Sequence, residues 1–217
     1  MKKIFSLLIF AGLVIPASAQ VAVGGGASLL KSFGSTPAYG GMHLLVEVPT
    51  DDQTSYYGKL GIFLKNKQDD GTVSVEAIDP SVTFPVIQVI NKMETFNYTT
   101  LEGGRRYYFG NGYDYGFSAY GGTHFMLAFN RVTQSTDAFD DTKYRLPDGA
   151  ETQGNIFNLA LGLSGGVKNT FTFGTLYFDV SLDYFLASIP SNSVAQNTGM
   201  YSPLLFTFSL GYKKDIF

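Results

Sequence analysis

The C-terminal stretch of the chain, residues 202–213, reads Ser202-Pro203-Leu204-Leu205-Phe206-Thr207-Phe208-Ser209-Leu210-Gly211-Tyr212-Lys213. Leucine and aromatic side chains occupy every second position from Leu204 to Tyr212, and most positions between them carry small or polar side chains. Successive side chains of a β-strand point to opposite sides, so this period of two predicts a strand with one bulky apolar face and one small polar face. The same division recurs upstream and decides the fold.

Seven further segments alternate in a similar way, although the first is glycine-rich and weakly patterned. They lie at residues 21–30, 39–48, 56–65, 95–109, 115–130, 155–167 and 176–186. Short turns alternate with loops along the chain. The turns lie near residues 49–54, 110–114 and 168–173; the first loop is short, and the later loops are long and polar. Outer-membrane barrels show this asymmetry, with short periplasmic turns and long external loops. The sequence therefore predicts an all-β fold, a transmembrane antiparallel up-and-down β-barrel.

Residues 66–92 allow two interpretations. They could form a hairpin that extends above the membrane, which gives eight spanning strands, or two further spanning strands, which gives ten. Both numbers are even, as is usual for single-chain bacterial barrels. Pro80 and Pro85 fit poorly in paired interior strands, so we favour eight strands and keep ten as the alternative.

The composition of the polar faces predicts which side of each strand points outward. A soluble lipocalin-like barrel alternates with the same period, but its outer polar face meets water and carries Lys, Glu and Thr. Here the polar faces carry mostly Gly, Ala, Ser and Asn, and only 15% of all residues are charged. Small side chains suit the narrow interior of an eight-stranded barrel. We therefore expect the apolar faces to meet lipid and the small polar faces to line the lumen.

The N-terminus predicts an exported protein. Lys2 and Lys3 precede an apolar run at residues 4–15, and Ala17-Ser18-Ala19 forms an A-x-A cleavage site before Gln20. We expect residues 1–19 to be a cleaved signal peptide, residues 20–217 to be the barrel domain, and the location to be the outer membrane. Removal of Lys2 and Lys3 changes the formal net charge from −3 to −5, and this mild acidity argues against nucleic acid as a partner. The chain has no cysteine, so we expect hydrogen bonds and packing, rather than disulfides, to hold the exported domain together.

Several ionisable side chains lie on the faces that are predicted to point inward. They are Glu47, Lys59, Glu102, Arg106, Asp179, Asp183, Lys213, His43 and His124, here called the lumen network. A buried charge is tolerated when it is paired, so we expect salt bridges between strands that plug the barrel and fix its register. Glu102 and Arg106 share one strand and are expected to pair with other strands. The alternative is a gated polar path for ions.

No catalytic, cofactor-binding or metal site is predicted. His43 and His124 are the two histidines of the chain, and we expect both to face the lumen, near Glu47 and Ser118. The chain has no G-x-S-x-G motif and no histidines at metal-binding spacing. We therefore expect a structural or interaction role, with a small-solute or ion channel as the alternative and a lipid A-modifying enzyme as the third possibility.

Aromatic side chains cluster at one short turn and near the end of the last strand. They are Tyr107, Tyr108, Phe109, Tyr113, Tyr115 and Tyr212. Aromatic rings concentrate at membrane–water interfaces, where they anchor a barrel. We expect these six residues to form an interfacial aromatic belt.

The stretch Thr99-Thr100-Leu101-Glu102-Gly103-Gly104-Arg105-Arg106-Tyr107-Tyr108-Phe109 carries a family resemblance. It is similar to a strand of the small outer-membrane β-barrels common in Bacteroidota, the OmpA-like and PorT-like barrels, in which Leu-Glu precedes a basic residue and paired aromatics. Over residues 20–217 the chain resembles these barrels in the architecture of its strands, turns and loops. Phe217 resembles the terminal assembly signal of such barrels. It departs from that signal because its position alternates with Lys213 and Asp215, on the opposite face from Tyr212 and Phe208.

The resemblance implies location and fold better than activity. We expect contact with outer-membrane lipid and lipopolysaccharide, and recognition of the C-terminal strand by the barrel-assembly machinery. An envelope protein partner is also expected, either at the surface loops or in an assembly such as a secretion machine.

Overall fold

The computed structural model describes residues 20–33, 38–81, 83–146, 152–196 and 203–216. The predicted signal peptide at residues 1–19 and the terminal Phe217 lie outside these ranges. The described part of the chain contains no helix long and apolar enough to cross a membrane.

The described chain forms ten β-strands and a short helix. The strands are β1 (Ala22–Ser32), β2 (Ala38–Asp51), β3 (Thr54–Phe63), β4 (Asn66–Ala77), β5 (Ile87–Gly110), β6 (Gly116–Thr136), β7 (Tyr144–Arg145), β8 (Gln153–Phe171), β9 (Gly174–Pro190) and β10 (Leu204–Asp215), and the helix is α1 (Ser193–Gln196). All strand pairings are antiparallel.

Eight of these strands close into a ring in the order β1-β2-β3-β5-β6-β8-β9-β10. Pairing of β3 with β5, and of β1 with β10, completes the circle. The predicted eight-stranded, antiparallel, up-and-down β-barrel is therefore confirmed.

Strands β4 and β7 lie outside the ring. β3 pairs with residues 99–107 of β5, and β4 continues along the same strand at residues 87–96. β7 adds two residues to the other edge of β4. Residues 66–92 therefore form a hairpin that prolongs the barrel wall at one end, called the wall extension below, and the ten-strand alternative is wrong.

The short turns all lie at one end of the barrel, here called the short-turn end. They join β2 to β3, β5 to β6 and β8 to β9, and positions 22 and 215 of the β1–β10 pair lie at the same end. In the second turn Gly110 and Gly112 have φ values of 83° and 74°, a conformation that glycine adopts without steric cost. The wall extension and α1 lie at the opposite, long-loop end.

One predicted turn begins too early. The sequence predicts a turn near residues 168–173, but β8 continues to Phe171 and β9 starts at Gly174. The alternation does not stop at Lys168, because this side chain points inward and is 2% exposed. Its amine donates to the Tyr113 carbonyl oxygen at 2.5 Å and to Thr170 Oγ1 at 2.9 Å.

The outer surface of the ring is apolar, in agreement with the predicted orientation. Met42, Leu163 and Leu210 are 76%, 62% and 62% exposed, and Phe178 and Phe208 also face outward. A soluble barrel would bury these faces. The bulky faces therefore surround the barrel and the small polar faces line it.

The interior is divided along the barrel axis. Towards the long-loop end it holds an apolar cluster, here called the apolar plug, made of Leu30, Tyr39, Phe63, Phe96, Tyr98, Met126, Ala128, Val132, Ile156, Ala160, Val194, Ala195 and Leu205. Val194 and Ala195 belong to α1, so this helix covers the plug. Asn192 fixes the helix, because its side chain accepts from the Ala195 amide at 3.1 Å and donates to the Gln153 carbonyl oxygen at 2.7 Å. The short-turn half of the interior is polar.

Candidate functional site: the lumen network

Glu47 is the centre of the polar half. It is fully buried and projects inward from β2, between the outward-facing Val46 and the partly buried Val48. Its Oε2 accepts from Arg106 Nη1 at 3.1 Å and from Lys213 Nζ at 2.8 Å. The second carboxylate oxygen, Oε1, accepts from Ser55 Oγ at 2.5 Å and from the Tyr108 hydroxyl. One carboxylate thus ties β2 to β3, β5 and β10.

Arg106 connects this centre to the opposite wall. Its Nη2 donates to Asp179 Oδ2 on β9 at 2.6 Å, so the guanidinium bridges two carboxylates. The guanidinium carbon lies 4.1 Å from the ring centroid of Tyr57 and 4.8 Å from that of Tyr120. Cation–π contact with two rings adds to the ion pairs and fills the space around the charge.

Lys59 and Glu102 form a second ion pair. They lie directly opposite each other on β3 and β5, and Lys59 Nζ is 2.8 Å from Glu102 Oε2. Lys59 Nζ is also 4.0 Å from Asp179 Oδ2, which links this pair to Arg106. Glu102 and Arg106 therefore pair with other strands.

The two histidines have partners other than those we expected. His124 Nε2 lies 2.6 Å from Asp183 Oδ1, whereas His43 contacts Ser28 Oγ at 2.8 Å and the Tyr177 hydroxyl at 2.5 Å. The expectation that the histidines lie near Glu47 and Ser118 is wrong. Ser118 lies six residues from His124 along β6, near the turn, where its Oγ donates to the Gly112 carbonyl oxygen at 2.8 Å.

All nine residues of the lumen network are at most 3% exposed. Their four carboxylates face the cations Lys59, Arg106 and Lys213, and Lys168 is a fourth buried cation that sequence reasoning assigned to a turn. Their short, mutual contacts join side chains from different strands of the ring.

Two residues of the predicted aromatic belt lie inside the barrel. Tyr108 and Tyr113 are 3% and 4% exposed, so their assignment to the belt is wrong. Tyr108 follows the outward-facing Tyr107 on β5, so its side chain points inward, where its hydroxyl donates a hydrogen bond to Glu47. Tyr113 belongs to the turn after β5, and its side chain is buried in the barrel. The Tyr113 ring centroid lies 4.3 Å from Lys213 Nζ. Alternation along β5 could have identified Tyr108, but no local signal identifies Tyr113.

The other four belt residues face outward at the short-turn end. They are Tyr107, Phe109, Tyr115 and Tyr212. The Tyr212 hydroxyl donates to the Phe173 carbonyl oxygen in the neighbouring turn. Phe171 and Phe173 stack next to it, with ring centroids 5.2 Å apart.

The contacts of the histidines do not assemble a serine–histidine–acid relay among the described residues. Ser28 contacts His43, whereas Asp183 contacts His124, and Ser181 Oγ donates to Asp183 Oδ2 at 3.1 Å rather than to a histidine. Within the same described ranges, no group of three or more His, Asp or Glu residues could hold a metal ion.

Comparisons with known proteins identify the fold and no family. No protein-family profile and no curated sequence matches the chain. Among solved structures, Neisserial surface protein A is similar over 90% of this chain and 95% of its own, with a TM-score of 0.52 and 13% identity. A major outer membrane protein from Thermus thermophilus is similar over 92% of this chain and 100% of its own, with a TM-score of 0.50 and 12% identity. The chain therefore has the fold of small outer-membrane β-barrel proteins.

Proposed function

We propose that this protein is an integral outer-membrane β-barrel with a closed lumen and a structural or interaction role. The observation that carries the proposal is the closed ring with an apolar outside. In hydrocarbon every backbone polar group must be paired within the protein, and a closed barrel meets this requirement because it has no free strand edge. The apolar outer faces are the surface that lipid would cover.

The distribution of turns and loops supports an orientation. Barrels of this class place short turns in the periplasm and longer loops outside the cell. We infer that the short-turn end faces the periplasm and the wall extension faces outward. The stretch at residues 99–109 supports a finer assignment, to the OmpA-like and PorT-like barrels of Bacteroidota. A signal peptide at residues 1–19 would deliver the chain to this membrane.

The wall extension supports an interaction role. Its residues Val75, Ala77 and Ile90 form a small buried core together with Tyr144 of β7. Its outer surface carries exposed apolar side chains at Ile78, Phe84, Val86, Ile87 and Val89. A structured, partly apolar projection beyond the barrel suits contact with an envelope partner or with lipopolysaccharide better than a flexible polar loop does.

The first test of the proposal is membrane integration. Residues 20–217, folded into lipid vesicles, are expected to stay with the membrane after alkaline extraction. Folded barrels of this class migrate differently from boiled samples in SDS gels, so unboiled protein should show a shifted band. Protein that remains in the supernatant without detergent would contradict the proposal.

The closed lumen predicts an electrically silent barrel. In planar bilayers the folded protein is expected to give no single-channel current. The apolar plug fills one end of the lumen and the lumen network fills the other, so ions have no open path through the barrel. A porin of 16 strands, which has an aqueous channel, serves as the positive control. The pair of substitutions Phe96→Ala and Tyr98→Ala should also be silent, since the lumen network remains below them. Discrete current steps from the unsubstituted protein would favour the channel alternative.

We propose no catalytic role, because both histidines are buried in the lumen and bonded to neighbouring side chains. Cells that carry His43→Ala or His124→Ala are expected to have the same lipid A acyl pattern as cells with the unsubstituted protein, by mass spectrometry. A pattern that changes with either substitution would support a lipid A-modifying enzyme instead.

A further inference from the structure

Arg105 is a cation on the outer surface of the barrel. Arg105 and Arg106 are neighbours on β5, so Arg106 points into the lumen and Arg105 points outward. The inner one bridges two carboxylates, whereas Arg105 has no ion pair among the described residues, and its Nε has no hydrogen-bond partner there. The Arg105 guanidinium carbon lies 4.9 Å from the ring centroid of Tyr107 and 5.6 Å from that of Tyr56.

An arginine on a lipid-facing surface has an energetic cost that depends on depth. In barrels the cost is about 2–4 kcal/mol at the bilayer midplane and falls towards zero near the interfaces. Arg105 lies five residues before Gly110, where the turn begins, which at the usual strand rise and tilt is roughly 13 Å from that end. Its contact with Tyr107, two residues nearer the turn, shows that the side chain extends towards the interface.

The charge of Arg105 reaches the turn itself. The pKa of Asp51, at the exposed end of β2, is held below its usual range mainly by hydrogen bonds from the Thr54 hydroxyl and the Gln53 amide, with a smaller contribution from Arg105. The contact with Tyr107 therefore directs the guanidinium towards the short-turn end, and the interaction with Asp51 agrees with this direction.

A shallow groove adjoins Arg105 on the same outer surface. The residues that line it include Arg105 itself, Tyr56, Gly103, Thr123, Phe125 and Leu161. At Gly103 a side chain would point into open space, with the nearest atom 4.0 Å from an added Cβ. Most of the groove surface is apolar, and Arg105 lies at its short-turn end, because Gly103, Phe125 and Leu161 are farther from the turns.

We propose that Arg105 and this groove bind one glycerophospholipid of the leaflet at the short-turn end, with the phosphate on the guanidinium and an acyl chain along the groove. The proposal rests on the membrane integration proposed above. Charge complementarity identifies the occupant, because a planar guanidinium matches a phosphate with two parallel hydrogen bonds and is the one cation beside this groove among the described residues. The two tyrosine rings hold the guanidinium in place without neutralising it.

The test is native mass spectrometry of the folded protein released from detergent micelles that contain dioleoyl phosphatidylglycerol. The unsubstituted protein is expected to retain one lipid. Arg105→Gln should lower the apparent affinity about fivefold or more, as for loss of one charge-assisted contact, and Arg105→Lys should lose less because it keeps the charge. Dioleoylglycerol, which lacks the phosphate, should not be retained, and inorganic phosphate should not displace the lipid.

Arg131→Gln is the matched control. Arg131 is an exposed arginine towards the long-loop end of β6, where it donates to Gln153 Oε1 at 2.6 Å, and its loss changes the net charge equally. Equal lipid retention by Arg105→Gln and by the unsubstituted protein would overturn the proposal, as would an equal loss in Arg131→Gln. Absence of the shifted gel band in all proteins would instead overturn the membrane assignment, and this inference with it.

Discussion

Arg106→Met is expected to destabilise the folded barrel by about 3–5 kcal/mol, the range found when one partner of a buried ion pair is removed. The substitution leaves the Glu47 and Asp179 carboxylates buried without their shared cation, and it removes the contacts with the rings of Tyr57 and Tyr120. Methionine keeps much of the volume of the arginine side chain, so the lost stability comes from the missing charge rather than from a cavity.

The measurement is the urea dependence of the shifted gel band and of the β-sheet circular dichroism signal in lipid vesicles. The chain has no tryptophan, so intrinsic tryptophan fluorescence is not a probe. Lys143→Met is the control, since Lys143 forms an exposed ion pair with Asp140 at 3.1 Å and its loss should cost less than about 1 kcal/mol. Equal stability of the two variants would contradict a stabilising role of the lumen network.

Gly26→Val is expected to prevent closure of the barrel. Gly26 lies opposite Gly211 where the first and last strands pair, and an added Cβ would lie 2.5 Å from the Gly211 Cα and closer still to the Leu210 carbonyl oxygen. These neighbours are backbone atoms, so they move only if the two strands separate. Overpacking of this kind costs about 1–3 kcal/mol in ordinary cores, and we expect more at this strand pair.

The readout is the fraction of protein that acquires the shifted gel band on folding into vesicles. Gly40→Val is the matched control, because Gly40 lies on β2 and an added Cβ there has nothing within 4 Å. Valine should be tolerated at position 40, since it favours strands. Normal yield of folded Gly26→Val would show that β1 and β10 can be spaced differently from the arrangement described.

The strands and their outer faces could be predicted because each depends on local alternation alone. Phe178 and Phe208 belong to runs with a period of two, and the same runs assign Glu47 and Asp179 to the inside. The proline positions in residues 66–92 also gave the correct strand number. These features do not depend on which residues lie opposite each other in neighbouring strands.

The pairing inside the lumen could not be predicted, because it depends on register between strands distant in the sequence. Nothing near His43 indicates that Ser28 and Tyr177 are its partners. The apolar plug was missed for a related reason, since Tyr39, Phe63 and Phe96 come from different strands and each is an exception on a mostly polar face. Tyr113 reaches the lumen from a turn, where alternation does not apply.

The position of Glu47 has a consequence for how the chain enters a bilayer. Its partners Ser55, Arg106 and Lys213 come from three other strands, and the last of them is near the C-terminus. An isolated β1–β2 hairpin would carry this carboxylate into hydrocarbon with none of its cations, which is costly. Given the membrane integration proposed above, we therefore expect concerted insertion of a nearly complete sheet to be favoured over insertion of hairpins one after another.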